Sequence, residues 1–367
     1  MFLKNKAWAE KGLYMDHNPE FIDIKEFDYE FGEHLIAQRP MPRGESNILT
    51  CEPFSDKFEI IKAKNIVDLF HKGDCLVVNN TKVIPARLFG EKPTGGKFEI
   101  LLVCPAPGRE GVCWEAWVKP GKYFKQDQFQ IVGGIQVEVK DILADGSRIL
   151  DFKCTYAEFQ ELLHHFGKVP LPPYILRDAD EADTEAYQTI FAKHEGAVAS
   201  PTASLHFSEA MIEVLKSKGV FIAEVTLHVG PGTFKPVEVE NALDHPMHGE
   251  VFDVSQESAD IINNAKKNGG RVITLGTTST RVIETVADES GFVTPQSGTT
   301  HKYITPGYRF KLVDGMVTNF HFPRTTLLLL VAALLGKEQV KKAYAYAVQK
   351  EMRLFSYGDG MIILAAK

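Results

Sequence analysis

The sequence predicts an α/β protein, a helix-flanked sheet domain that carries an inserted antiparallel β-barrel domain. Three observations predict it. Between residues 73 and 153, short β-branched and aromatic runs follow one another across Gly/Pro/Asp turns without helical spacing. From residue 208 onward, strand-like runs alternate with amphipathic segments, the pattern that lays helices on both faces of a sheet. The 367-residue chain, 44% hydrophobic, is also long enough for two or three domains of about 100–200 residues. We expect residues 1–24 to be an N-terminal extension, 25–72 and 156–367 the α/β part, and 73–155 the barrel.

Residues Met1 to Ile24 carry charges throughout and lack a continuous apolar core, so they read as neither signal peptide nor anchor. In Phe27 to Leu49 two prolines forbid a long helix, and Arg39 and Arg43 flank the bend as surface charges or anion contacts. The barrel runs are CLVVNN, KFEILLV, CWEAWVK, QFQIVGGIQVEVK and RILDFK, separated by turns such as PTGG and ADGS. A sheet of such strands removes its edges by closing on itself. Trp114, Trp117, Lys119, Lys122, Tyr123, Phe124 and Lys125 interleave aromatic and basic residues, which suits stacking on bases beside phosphates. Strand alternation alone would also set Trp on one face and Lys on the other.

Thr155 and Glu158 form a capping box for the helix TYAEFQELLHHF, which Gly167 ends. The prolines of PLPP, from Pro170, make a stiff extended connector or a pocket wall. Ser208 caps a helix through Lys218, and Val220 to Val229 is a buried strand. A helix from Ser255 to Asn268, the strand RVITLG and a helix opening at TTSTR repeat the unit. MVTNF is a strand before a polar turn holding Asn319, His321 and Arg324. The apolar run Leu327 to Leu335 is too short for the roughly 20 residues of a bilayer span and reads as a buried helix. A helix from Lys337 to about Lys350, a Ser-Tyr-Gly-Asp-Gly turn containing Asp359 and a last apolar strand complete the chain.

The net charge of −7, from 41 basic and 48 acidic residues, argues against nucleic-acid binding by bulk electrostatics but allows a local basic surface. Five cysteines, odd in number and never spaced Cys-x-x-Cys, suggest neither a disulfide framework nor a thiolate zinc site, and fit a reducing cytoplasm. Chemistry gathers between Gly196 and Glu250. In and just before that stretch lie His194, His206, His228, His245 and His248, five of twelve histidines, with Asp244 and Glu250 beside two Gly/Pro-rich bends. A lone histidine is ordinarily a packing residue, and it is the clustering of groups that titrate near neutral pH that points to a site. The turn Gly276 to Arg281 stands at a strand-to-helix junction where free N–H groups hold anions. The Gly-Pro-Gly at residues 230–232 lacks the fingerprint of a dinucleotide site.

Taken together, the strings FDYE-x-x-x-x-LIAQRP, GD-x-LVVNNTKVIPARL, PLPPYI-x-R, YQT, PTA-x-LHF, VTLHVG-x-GTFKPV, DH-x-MH-x-E, GTT-x-x-R, TNFH-x-P-x-x-TLL and FSYGD, in one order from Phe27 to the C-terminus, resemble one family. It is that of the S-adenosylmethionine:tRNA ribosyltransferase-isomerases of queuosine biosynthesis. Small departures are Ser200 for alanine, Ser204 for glycine, Phe322 for leucine and Arg324 for lysine. The resemblance implies that the ribosyl part of S-adenosylmethionine moves onto a 7-aminomethyl-7-deazaguanine at the wobble position of a tRNA, giving epoxyqueuosine and releasing adenine and methionine. S-adenosylmethionine is then a co-substrate and no cofactor is held permanently. A cytoplasmic monomer, with tRNA as partner and no membrane, is expected.

A C–H next to a sulfonium is acidified, so a base must take that proton, adenine must leave, and the substrate amine must be deprotonated. The expected catalytic set is His206, His228 and His248 with Asp244 and Glu250. Thr277, Thr278, Arg281, Asn319 and His321 are expected to hold the methionine carboxylate or ribose. Thr202, Arg87, Lys119 and Lys122 are expected to hold the tRNA substrate. No metal is expected, although His245, His248 and Glu250 have a His-x-x-His-x-Glu spacing that a metal-dependent hydrolase could use, with Pro246 against a helix there. An RNA-binding module without chemistry is the other alternative, and the histidine cluster disfavours it.

Overall fold

The computed structural model describes residues 19–364 apart from 54, 93–94, 107 and 127–128. Of the expected extension, residues 1–18 lie outside the described residues. The rest of it is part of the fold: Ile22 and Ile24 are buried with Phe27 and Leu35 in one core. The Ile24 N–H donates to the Glu240 carbonyl and the Ala242 N–H to the Ile22 carbonyl. The apolar residues at 22 and 24 enter the core on alternate positions, a pattern masked in the sequence by the charges between and around them.

The chain opens with strands β1 (Asn47–Cys51), β2 (Phe58–Lys62), β3 (Cys75–Asn79) and β4 (Thr81–Val83). Six more follow, β5 (Arg87–Glu91), β6 (Lys97–Pro105), β7 (Val112–Lys119), β8 (Phe129–Val132), β9 (Ile135–Ile142) and β10 (Arg148–Phe152). Helices α1 (Tyr156–Phe166) and α2 (Glu181–Ala186) lead to β11 (His194–Ala197), α3 (Glu209–Ser217) and β12 (Phe221–Leu227). Then come β13 (Glu250–Val254), α4 (Gln256–Lys267), β14 (Val272–Leu275), α5 (Gly276–Val286), β15 (Gln296–Thr300) and β16 (Gly315–Asn319). Helices α6 (Thr326–Leu335) and α7 (Lys337–Gln349) precede β17 (Gly360–Leu364).

Nine strands form one sheet in the order β15-β13-β12-β3-β14-β16-β17-β1-β2. Its centre, β12, β3, β14 and β16, is parallel. Alternation along β3 shows why helices cover both faces: Leu76 and Val78 pack with Met211 and Leu215 of α3, while Cys75 and Val77 pack with Ala259 and Ile262 of α4. The crossovers through α3 and α4 reach the strands on either side of β3 by opposite faces. That makes the carboxyl ends of β12, β3 and β14 a switch point, where α/β sheets bind ligands.

The second sheet has the order β5-β6-β7-β10-β9-β8, and β8 returns beside β5 so that it is nearly closed. Leu88, Ile100, Val137 and Leu150 fill it, with Phe159 and Leu162 of α1 as a plug. The capping box is formed: the Glu158 N–H donates to Thr155 Oγ1 at 3.3 Å and the Thr155 N–H to Glu158 Oε2 at 2.7 Å.

The run CLVVNN, read with the barrel, is β3 of the large sheet, and the six-stranded sheet begins at Arg87. Its residues are buried on both faces, which a central parallel strand requires and a barrel strand with one wet face does not. Nor does β7 divide Trp from Lys. Trp114 packs inward against Phe159, whereas Trp117, an odd number of residues on, faces outward on the side that alternation gives to Lys119.

Helix α6 is buried nearly all round, and among the described residues no helix is long and apolar enough to cross a membrane. Asp359 is a turn residue: its buried carboxylate accepts the N–H groups of Asn47 and Arg353.

Candidate active site

The carboxyl ends of the central strands face the barrel across a cleft of about 690 Å³. His228, His245, His248, Glu250 and Arg281 line it from one side, and Trp114 and Trp117 of β7 from the other. The barrel is fastened over it at Lys235, whose ammonium lies 4.2 Å from the centre of the Trp117 ring.

His228 leaves the end of β12 and Thr81 follows the end of β3, so parallel pairing brings the two together. His228 Nδ1 lies 2.8 Å from Thr81 Oγ1. The Thr81 hydroxyl can donate to the His194 carbonyl at 3.5 Å, and its oxygen then accepts the Nδ1–H of His228. That tautomer leaves Nε2 as the basic nitrogen. Burial, with His194 nearby, lowers the imidazole pKa, so the ring is neutral at pH 7. The ring also rests on Gly196, where an added Cβ would meet it at 2.8 Å and where φ is +150°. Only glycine suits both conditions.

Glu250 opens β13 and Arg281 stands one turn inside α5. The two side chains form a buried ion pair in the cleft. Glu250 Oε1 also accepts the Gly230 N–H at 3.1 Å, and Arg281 Nε donates to the Lys302 carbonyl at 3.0 Å. Arg281 Nη2 has no hydrogen-bond partner among the described residues, although the side chain is buried. A buried donor left open is a ready contact for an acceptor on a bound molecule.

His248 lines the cleft as an exposed residue, and His245 packs edge-on against Tyr303. Asp244 departs from the expectation. It sits exposed in a short 3-10 turn, Ala242–Asp244, outside the cleft lining, whereas His245, Met247 and His248, which follow that turn, line the cleft. Among the described residues no three His, Cys, Asp or Glu side chains converge as a metal would need, and Glu250 is committed to Arg281.

A smaller cavity of about 60 Å³ adjoins the cleft, the two sharing Thr233 and Leu327. Thr202, Thr277, Thr278, Asn319 and His321 all line it. Tyr174, from the proline-rich connector, is part of its wall. The expected co-substrate set is therefore divided, with Arg281 in the cleft and the others in the small cavity.

His206 lines neither space. It is buried beneath them, with Nδ1 2.7 Å from Ser46 Oγ and Nε2 3.3 Å from Asn319 Nδ2. Asn319 in turn donates to the Phe355 carbonyl and accepts from Thr202 Oγ1 at 3.1 Å. The side chain that the PTA-x-LHF string offers as a base instead holds the Asn319 amide in place. Burial drives the His206 pKa down to about 4 and that of His321 to about 3.

These two rings couple stability to pH. Their folded pKa values lie below the ordinary 6.5, so the unfolded chain takes up protons first as pH falls. Their stabilisation is complete above about pH 6.5 and is lost progressively toward pH 4 for His206, by about 3 kcal/mol, and toward pH 3 for His321. Urea midpoints will fall between pH 7 and pH 5, and His206→Gln will flatten that dependence. An unchanged slope in the variant would remove His206 from this role.

Arg87 lines neither cavity. It pairs with Glu99 and donates to the Leu171 carbonyl, joining the barrel root to the proline-rich connector. Lys119 and Lys122 are exposed at the far end of β7, outside the cleft lining, and Lys122 lies 5.5 Å from the Tyr123 ring centre. Arg39 pairs with Asp180, and Arg43 donates to the Gln188 carbonyl. Sequence reading missed Thr81, Gly196 and Ser46. Nothing local marks them, since each acts through a histidine more than thirty positions away.

A sequence model described as queuosine biosynthesis protein matches residues 24–363. The S-adenosylmethionine:tRNA ribosyltransferase-isomerase of Acetivibrio thermocellus is 46% identical over 346 residues, 93% of this chain and all of that protein. That of Clostridioides difficile is 47% identical over 346 residues, again 93% of this chain and all of the relative. Among solved structures, S-adenosylmethionine tRNA ribosyltransferase from Thermotoga maritima matches with a TM-score of 0.52 and 33% identity, over 92% of this chain and all of that one.

Proposed function

The chain belongs to the queuosine biosynthesis family of S-adenosylmethionine:tRNA ribosyltransferase-isomerases, and from that premise we propose that the reaction is carried out in the cleft between the sheet edge and the barrel. The ribosyl part of S-adenosylmethionine moves to the 7-aminomethyl-7-deazaguanine wobble base of a tRNA, yielding epoxyqueuosine, adenine and methionine. The observation that carries this placement is the convergence of a neutral, oriented imidazole and a buried Arg–Glu pair in one cleft of about 690 Å³. That space has room for a nucleoside and a flipped base together.

In this reading His228 Nε2 removes the proton from the carbon beside the sulfonium. Thr81 holds the tautomer that makes Nε2 basic, and burial keeps the ring uncharged at pH 7. Glu250 fixes Arg281 so that its open Nη2 meets an acceptor on the bound substrates. His248, at the exposed side of the cleft, is placed to take the proton from the incoming amine. Thr202, Thr277, Thr278, Asn319 and His321 hold the S-adenosylmethionine end that enters the small cavity. A monomer suffices, since this chain's own barrel completes the cleft, and free cysteines together with a tRNA substrate fit the cytoplasm.

The anticodon arm, too large for the cleft, lies along the barrel, where Lys119 and Lys122 meet its phosphates. The double variant Lys119→Glu/Lys122→Glu will weaken tRNA binding and reduce the salt slope of log Kd by about two, one per phosphate contact. The parent's affinity and slope in the variant would refute that contact. The assignment as a whole is tested by product analysis of the enzyme with S-adenosylmethionine and precursor tRNA, where adenine and methionine must appear together.

A further inference from the structure

The small cavity holds polar groups that nothing among the described residues satisfies. Ser200 Oγ and Thr278 Oγ1 have no hydrogen-bond partner, and the residues are 6% and 7% exposed. A buried hydroxyl without a partner is costly, and two around one cavity call for a ligand with acceptors. Both residues line that cavity beside Thr277 and Asn319.

The cavity also receives the N-terminus of α5, an eleven-residue helix whose N-cap, Leu275, provides no side-chain cap. Its first N–H groups have no acceptor within the helix and carry the positive end of the helix dipole. Gly276 brings the backbone in close at φ +91°, and a Cβ there would sit 3.4 Å from Thr278 Oγ1. Among the described residues no Asp, Glu, Lys or Arg lines the cavity, so an anion entering it meets hydroxyls and N–H groups with no carboxylate to oppose it.

Size decides which part of the co-substrate fits. About 60 Å³ admits an amino-acid head but no purine, while the adjoining cleft of about 690 Å³ takes the nucleoside. The methionyl chain, with its sulfonium, then passes Thr233 and Leu327, which both spaces share.

We propose that the small cavity is a carboxylate subsite for the methionyl end of S-adenosylmethionine, and that Ser200 and Thr278 are the side chains that select the carboxylate. This rests on the ribosyltransferase reading and deepens it: the ribose is left to the cleft, Arg281 is freed from the carboxylate, and Ser200 gains a role in binding. The two hydroxyls donate to the carboxylate oxygens alongside the N–H groups of α5. Charge-assisted bonds of this kind each change affinity by roughly tenfold.

The test compares S-adenosylmethionine with its decarboxylated counterpart in the parent, Ser200→Ala and Thr278→Val, reading KM from adenine release. The same proteins are titrated calorimetrically with methionine and with 3-methylthiopropylamine, which needs no turnover. Each single variant should raise KM for S-adenosylmethionine roughly tenfold and weaken methionine binding to match, with little change for the decarboxylated compounds. The double variant should lose the preference for the carboxylate. Equal weakening of both compounds, or no change in either, overturns the subsite and leaves a cavity that holds only water. If the parent releases no adenine, the ribosyltransferase reading has failed instead, and the calorimetric comparison still decides the subsite. Urea midpoints close to the parent's keep a folding defect from passing as a binding one.

Discussion

His228→Ala will cut adenine release from S-adenosylmethionine by about 10²- to 10⁴-fold, the span a positioned general base contributes. The loss should fall on kcat, since the imidazole is assigned to proton removal and the small cavity to binding. Two further variants make the reading specific. Thr81→Val keeps the shape beside Nδ1 but removes the group that fixes the tautomer, and should cost less than the loss of the ring. Gly196→Ala thrusts a methyl at the ring, where the would-be Cβ lies 2.8 Å away, and should displace the imidazole without removing it. Because burial holds the pKa below the ordinary 6.5, the acid limb of kcat/KM should fall below pH 6.5 in the parent and disappear in the variant's residual activity. Full turnover in a folded His228→Ala protein would end the assignment.

Glu250→Ala is expected to damage stability as well as activity. Removing one partner leaves the Arg281 charge buried and uncompensated, which costs about 3–5 kcal/mol, and the Gly230 N–H loses its acceptor. Replacing both charges with apolar residues of similar volume, Glu250→Leu with Arg281→Met, should recover most of that stability. It should not recover turnover, because the open Nη2 goes with the arginine. Urea denaturation and adenine release on the same three proteins separate the two effects. Recovery of both in the double variant would make the pair purely structural.

Most of the architecture was legible because its signals are local. Ser208 and Thr155 cap their helices where their hydrogen-bonding chemistry placed them, and the strand runs kept their period. The boundary of the barrel was not legible, since CLVVN is apolar enough for either sheet and only pairing with β12 and β14 decides between them. The site shows the same division. The strings offered candidate residues but not which way each points. His206 and His228 look alike in sequence, yet one is folded under Gly360 against Asn319 and the other stands over Gly196 in the cleft. Asp244 and Arg87 line neither cavity, Asp244 because of the short local turn that carries it and Arg87 because it is paired with Glu99. Thr81 was invisible because its role exists only once parallel strands set it beside His228.

The central claim is that S-adenosylmethionine is spent here as a ribosyl donor. The most direct measurement is chromatographic analysis of the small molecules released when the protein is incubated with S-adenosylmethionine and tRNA bearing 7-aminomethyl-7-deazaguanine, together with nucleoside analysis of that tRNA. Adenine and methionine are expected in equal amounts, matched by epoxyqueuosine in the tRNA. S-adenosylhomocysteine in their place, or an unaltered tRNA with no adenine released, would contradict it.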